Sequence, residues 1–169
     1  MRITRYPNLS SAQFSGCIAA FADALSGELN AAVAVLRRLE GSAKGSAFAY
    51  EMELDRHRYG AMIVLDRWSA VVEAFGPHLE SPRHGEIVAG TAIRVHDAQQ
   101  ILVRANELID ASESYSGAVV EACLAAWQSL NLTFRAERRE TEESAKLGPM
   151  QPEEYREARR LFAEDLAAR

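Results

Sequence analysis

Apolar residues recur at intervals of three and four along almost the whole chain, and this spacing restricts the possible folds more than any other feature. The most regular run places Val88, Val95, Leu102 and Ile109 seven residues apart, with Ala92, Ala98 and Ala105 between them. A repeat of this kind keeps one face of a helix apolar and is typical of helices packed side by side. No segment has the strict alternation expected of a strand, so the sequence predicts an all-α protein.

Capping residues and helix breakers divide the chain into five predicted helices. The first begins at Ser10 or Ser11 and ends before a turn at 41–45; the second runs from about Ser46 to Phe75, before Gly76-Pro77. The third begins at Ser81-Pro82, the fourth follows a turn at 110–114 and continues through 135–143 as a solvated extension, and Pro152 opens the fifth.

Short turns and a change of composition give the predicted architecture. Short connections favour antiparallel neighbours. Of the 35 residues from 135 to 169, 17 are charged, which separates this end from the more apolar body. The sequence therefore predicts an antiparallel four-helix bundle over residues 1–147 with a charged C-terminal helical appendage, a short amphipathic helix, at 148–169.

The first and fourth predicted helices have broad apolar faces, whereas the second carries one stripe. That stripe consists of Phe48, Met52, Tyr59, Met62, Ile63, Trp68, Val71, Val72 and Phe75. The fourth carries two neighbouring stripes, Tyr115, Val119, Cys123, Ala126, Leu130 and Phe134 beside Val120, Leu124 and Trp127. In the first, Ile18, Val33 and Val35 fall outside a single narrow seam. A helix that is apolar over this width is central or is covered by a partner subunit, so we expect a possible homodimer.

Charge and composition restrict the partners and the location. The formal net charge is -5, and an acidic chain repels phosphate backbones, so bulk charge predicts no nucleic-acid binding. No uninterrupted apolar run reaches the roughly 18 residues of a membrane span, and no signal-peptide pattern is present, so we expect a cytoplasmic protein without a membrane contact. Cys17 and Cys123 have no metal-ligand spacing, and both are predicted to be buried, inert thiols.

The common local signatures of enzymes are missing from the sequence. It has no phosphate-binding loop, no dinucleotide fingerprint, no nucleophile elbow and no zinc-binding His-Glu-x-x-His. Metal sites in bundles use repeated Glu-x-x-His steps, whereas Glu53 with His57 and Glu80 with His84 are each one residue too long. The segment around His57 alternates in charge, as solvated salt-bridged faces do. We therefore expect no metal and no cofactor, and a non-enzymatic protein is favoured.

One histidine is a candidate phosphoacceptor. His96 and Asp97 on the third helix resemble the phosphoacceptor helices of histidine phosphotransfer proteins, in which an exposed imidazole attacks a phosphoryl group and a neighbouring acid sets its tautomer. The resemblance covers these two residues, and the following Ala98-Gln99-Gln100 departs from that family's pattern. It implies His96 as the phosphoacceptor.

Two further groups are candidate binding residues. Arg56, His57 and Arg58 are positioned to receive an anionic ligand, or else to pair with acidic residues on the same helix. Trp68 and Trp127 fit core packing, and either is large enough to anchor an interface or line a ligand cavity.

Three classes of function remain open. The favoured one is a non-enzymatic helical bundle that acts through protein–protein contact, in an adaptor, chaperone, immunity or antitoxin-like, or regulatory role. The alternatives are a phosphotransfer bundle that uses His96, and a ligand- or metal-binding bundle whose site residues come from several helices.

Overall fold

Five helices account for most of the described chain. The computed structural model describes residues 10–75, 82–147 and 151–168. The helices are α1 (Ser11–Leu39), α2 (Phe48–Phe75), α3 (Pro82–Ala111), α4 (Gly117–Ser144) and α5 (Glu153–Ala167), and no strand occurs in these three segments. The all-α prediction is confirmed; the predicted break at Gly76-Pro77 and the cap at Ser81 lie outside the described residues.

Helix α1 occupies the centre of the packing. It contacts α2, α4 and α5, while α3 contacts α2 and α4. Its start is fixed by a capping box, in which the Ser10 side chain accepts from the backbone of Gln13 and the Gln13 side chain accepts from the backbone of Ser10. The helix continues through Gly27 without a break and buries residues along its whole length.

An aromatic cluster joins four of the five helices. The ring of Phe21 in α1 stacks on Trp68 in α2, with 5.5 Å between centroids. Phe134 of α4 lies 4.7 Å from Trp68, and Phe162 of α5 lies 6.0 Å from Phe21. Rings at these separations contribute packing energy beyond the area that they bury.

The faces predicted for α3 and α4 are buried as expected. In α3 the seven-residue series Val88, Val95, Leu102 and Ile109 is at most 3% exposed. In α4 both predicted stripes contribute buried residues, among them Cys123, Leu124 and Trp127. The apolar width of α4 is therefore covered within one chain and does not require a second subunit.

The predicted apolar stripe of α2 is wrong over its first half. Trp68, Val71 and Val72 are buried, but Phe48, Met52, Tyr59 and Ile63 are exposed. The buried face instead consists of Leu54, Arg58, Ala61, Val64, Leu65, Trp68 and Val72. Tyr59 and Trp68 are nine residues apart, which is two and a half turns, so they face opposite sides of the helix. The buried arginine and the small alanine weakened the sequence signal of the true inner face.

The predicted solvated extension of α4 is also corrected. The helix does run to Ser144, but Glu137 is 2% and Thr141 4% exposed. The start of α1 packs there, since the Ser15 hydroxyl lies 3.3 Å from the carbonyl oxygen of Thr141.

Helix α5 lies directly against the first turns of α1. It buries Tyr155, Ala158, Phe162 and Leu166. At Gly16 the backbones approach so closely that an added Cβ would lie 2.4 Å from the Tyr155 carbonyl oxygen. Asp23 of α1 also binds Arg138 of α4 at 2.5 Å and Arg159 of α5 at 2.6 Å.

A pair of glycine substitutions tests this packing. Gly16→Ala is expected to push α5 away from α1 and to lower the free energy of unfolding by about 1–3 kcal/mol, the usual cost of overpacking. Gly27→Ala is the matched control, because nothing lies within 4 Å of its added Cβ, and it should be neutral or stabilise the helix by up to about 1 kcal/mol. Urea unfolding of both variants measures the difference, and equal stabilities would contradict the close contact.

Candidate functional site

Four of the eight large apolar side chains that are exposed in the described chain lie on one face of α2. We call Phe48, Met52, Tyr59 and Ile63 the α2 stripe; these side chains are 71%, 55%, 54% and 40% exposed. Their spacing of four, seven and four residues keeps them on one side of the helix, opposite Leu54, Leu65 and Trp68. Single exposed apolar residues are ordinary, but a row of large ones is typical of contact surfaces.

Opposite charges interrupt the α2 stripe at its middle. Asp55 and Arg56 lie between Met52 and Tyr59, and together with Glu53 these residues line a shallow depression. Asp55 is bound by Arg58 at 2.6 Å, and its side chain keeps 49% of its surface exposed. Arg56 is exposed and has no hydrogen bond or ion pair within the described residues.

Arg58 fixes how α2 is turned about its axis. Its guanidinium is 3% exposed and reaches α3, where it binds Asp110 at 2.8 Å and the Asn106 carbonyl oxygen at 3.3 Å. Burial lowers the pKa of Arg58, but hydrogen bonds to Asp110 and Asp55 outweigh this and raise it overall. A buried cation held by two carboxylates stays charged, and it keeps this side of α2 turned inward.

The structure does not bring Arg56, His57 and Arg58 together. Arg56 is exposed beside the α2 stripe, Arg58 is buried against α3, and His57 faces α1. The nearby Arg67 donates to the Asp165 carbonyl oxygen of α5 at 3.2 Å. Arg56, His57 and Arg58 therefore do not form one anion site.

His57 lies in a groove between α1, α2 and α5. Its Nδ1 is 2.7 Å from Oε2 of Glu28, and both side chains are mostly buried. Since a carboxylate only accepts, Nδ1 is the donor of this hydrogen bond. The carboxyl group of Glu28 packs against Gly60 of α2. A Cβ added to Gly60 would lie only 2.7 Å from this carboxyl group, so the contact depends on a glycine at that position.

The groove itself has a volume of about 600 Å³. Its walls are mainly small or apolar side chains, and its polar groups are His57, Glu28, Asp23 and Arg159. Sequence reasoning missed Glu28 and Arg159, because their neighbours in the groove come from other helices.

The remaining sequence candidates lie apart from both features. His96 and Asp97 are exposed on α3, and no hydrogen bond or ion pair holds His96 within the described chain. Trp68 and Trp127 are 0% exposed and lie in the core, so neither reaches the surface.

The two thiols are buried in the core. Burial raises the pKa of Cys17 strongly and that of Cys123 to about 11. Thiols held protonated in this way are poor nucleophiles.

Glu137 is a buried carboxyl group that sequence reasoning missed. It accepts a hydrogen bond from the Thr91 hydroxyl and makes an ion-pair contact with Arg94, both on α3. Burial raises the pKa of Glu137, opposed in part by the Thr91 hydrogen bond and by the charge of Arg94. The group links α3 to α4 within the packing.

Among residues 10–75, 82–147 and 151–168, no group of three or more His, Cys, Asp and Glu side chains is placed to hold a metal ion. Glu80 lies outside the described residues, so the Glu80–His84 pair is not described. One helix of these segments, α1, is long and apolar enough by length and composition to cross a membrane.

Comparison with known proteins gives no relative from which a role can be transferred. No protein-family model matches the chain, and no curated protein or solved structure matches it significantly.

The pH dependence of stability tests the buried state of Glu137. Because its folded pKa is raised, the neutral carboxyl contributes stability that is fully present below the ordinary pKa of about 4.3 and is lost as pH rises through the folded pKa. Glu137→Gln imitates the neutral form of the carboxyl group. The free energy of unfolding of this variant minus that of the original protein should therefore be larger at about pH 7 than at about pH 4.

Urea unfolding at both pH values measures this difference. Glu121→Gln is the control, because Glu121 is an exposed glutamate of the same helix that lies about four turns away from Glu137. A Glu137→Gln difference that stays constant or falls with rising pH would contradict burial of the carboxyl group.

Proposed function

We propose that this protein is a non-enzymatic helical bundle that acts through protein–protein contact, in an adaptor, chaperone, immunity or antitoxin-like, or regulatory role. The observation that carries the proposal is the α2 stripe, a row of large apolar side chains that no other part of the described chain covers. Aromatic and methionine side chains are enriched where proteins bind one another.

The proposal includes the finer architecture. Helices α1 to α4 form an antiparallel four-helix bundle, and α5 is a charged helix added along α1. The circular order of contacts among α1, α2, α3 and α4 supports this topology. So do hydrogen bonds between the α1–α2 and α3–α4 turns, from Gly41 to the Tyr115 carbonyl at 2.7 Å and from Tyr115 to the Ser42 carbonyl at 2.9 Å.

We propose a cytoplasmic location, with neither a membrane nor nucleic acid as partner. The apolar surface of α1 is used in packing against α2, α4 and α5, as in the central helix of a bundle. The net charge of -5 disfavours a phosphate backbone.

Substitutions within the α2 stripe test the contact role. The protein is immobilised and used to capture a specific partner from a lysate of the source organism. Met52→Glu and Tyr59→Glu should each reduce the amount of captured partner at least tenfold. Ile93→Glu is the matched control, because Ile93 is 63% exposed on α3 and outside the stripe. The captured protein is then produced alone, and its affinity for all three variants is measured by calorimetry.

The same experiment separates the phosphotransfer alternative. His96→Ala should leave the measured affinity unchanged if the protein acts by contact through α2. Equal binding by the original protein and both stripe variants would contradict the contact proposal, and loss of partner-dependent activity with His96→Ala alone would favour phosphotransfer.

Ligand binding is a second candidate function, and the paired His57 and Glu28 in the α1–α2–α5 groove favour it. An apolar groove with a few convergent polar groups is the usual form of a small-molecule site. Ala163 lines the groove and is exposed to solvent, so the larger side chain of Ala163→Trp is expected to fill the groove.

Native mass spectrometry of protein purified without added ligand tests this candidate. A bound mass should be present in the original protein and absent from Ala163→Trp. A bound mass that both proteins retain, or none in either, counts against the groove as a ligand site.

A further inference from the structure

The α2 stripe is symmetrical about its own centre. Phe48 and Ile63 lie equally far from the point midway between Asp55 and Arg56, and so do Met52 and Tyr59. All four apolar side chains are exposed on the same face of one unbroken helix. If the direction of the helix is reversed about this point, each apolar position of the stripe therefore coincides with another apolar position.

This symmetry suits contact between two copies of one chain. A twofold interface uses the same patch on both subunits, so the patch must be complementary to itself. Two antiparallel α2 helices that cross between Asp55 and Arg56 would place Phe48 against Ile63 and Met52 against Tyr59 of the other copy. Every apolar residue of the stripe would then face an apolar residue.

The central charges decide the direction of the pair. In the antiparallel arrangement Asp55 of each copy faces Arg56 of the other, which gives two attractive contacts. In a parallel arrangement, Asp55 would face Asp55 and Arg56 would face Arg56, and such like-charge contacts are unfavourable. The side chain of Asp55 is half exposed despite its bond to Arg58, so it remains accessible to a second copy.

From the apolar symmetry and the charge complementarity, we infer that the occupant of the α2 stripe is a second copy of this chain, bound antiparallel about a twofold axis between Asp55 and Arg56. The inference rests on the proposed contact function and names the partner of that surface. The depression lined by Met52, Glu53, Asp55, Arg56 and Tyr59 would lie at the axis and receive side chains of the other copy.

The size of the surface sets the expected affinity. Stable interfaces bury upward of about 1,000 Å² in total, and a single pair of helices supplies an area near the lower end of the range. We therefore expect a reversible dimer with a dissociation constant in the micromolar range, so the experiment must cover concentrations on both sides of it.

Sedimentation equilibrium tests the association. The original protein should pass from monomer to dimer as its concentration rises. Met52→Glu and Arg56→Glu should each raise the dissociation constant of the dimer at least tenfold. Arg56→Glu does so because it places acidic residues of both copies at the axis.

Two controls lie on other helices. Ile93→Glu and Arg139→Glu change an exposed apolar and an exposed cationic residue outside the stripe and should dimerise as the original does. Circular dichroism confirms that every variant is folded. A dimer that Met52→Glu and Arg56→Glu leave unchanged would overturn the inference.

Cysteine cross-linking tests the direction of the pair. Oxidation of a mixture of Met52→Cys and Tyr59→Cys proteins should give mainly the mixed disulfide, because these positions face each other. In the antiparallel pair, residue 52 of one copy lies about 10 Å along the helix axis from residue 52 of the other copy. Met52→Cys protein oxidised without the Tyr59→Cys protein should therefore cross-link poorly. Cys17 and Cys123 are buried and should not interfere. Efficient cross-linking of Met52→Cys with itself would indicate a parallel pair and overturn the antiparallel arrangement.

The failures of the two proposals are distinguishable. A protein that stays monomeric at all concentrations, but captures a different protein through the α2 stripe, overturns the second copy as occupant and leaves the contact function standing. A dimer whose stripe variants lose association supports both.

Discussion

The contact of four aromatic rings is the interaction on which the rest of the structure depends. Phe21, Trp68, Phe134 and Phe162 come from α1, α2, α4 and α5, and they meet where α1 is covered on three sides. Because α1 is the most apolar helix of the described chain, its burial favours folding strongly. The closeness of α5 at Gly16 follows from the same requirement, since α1 needs a third neighbour to leave little apolar surface in water.

The packing of α2 then determines which surface the protein presents. Trp68 holds one end of its inner face, and Arg58 holds the other through Asp110 on α3. Both constraints turn the same side of the helix inward. Phe48, Met52, Tyr59 and Ile63 then face outward, although all four are large and mainly apolar.

Much of the fold could be predicted from the sequence, because its signals are local. The capping box at Ser10, the seven-residue series of α3 and the position of Pro152 before α5 all act within a few residues. The rotation of α2 could not be predicted, since an arginine occupies its inner face and is stabilised there in part by Asp110, which lies 52 residues away in the sequence. Glu28 with His57 and Glu137 with Thr91 were missed for the same reason: each pair joins two helices, and no periodicity along one helix contains it.

The exposed apolar residues of α2 contribute little to the stability of a single chain. The buried core does not include them, and the part of each side chain that stays in water gains nothing from folding. The stability of one chain therefore does not account for four such residues in a row, interrupted at the centre by opposite charges. This arrangement is the reason for proposing contact with another surface. Because the stripe has apolar residues at equal distances on both sides of its centre, it is complementary to its own copy.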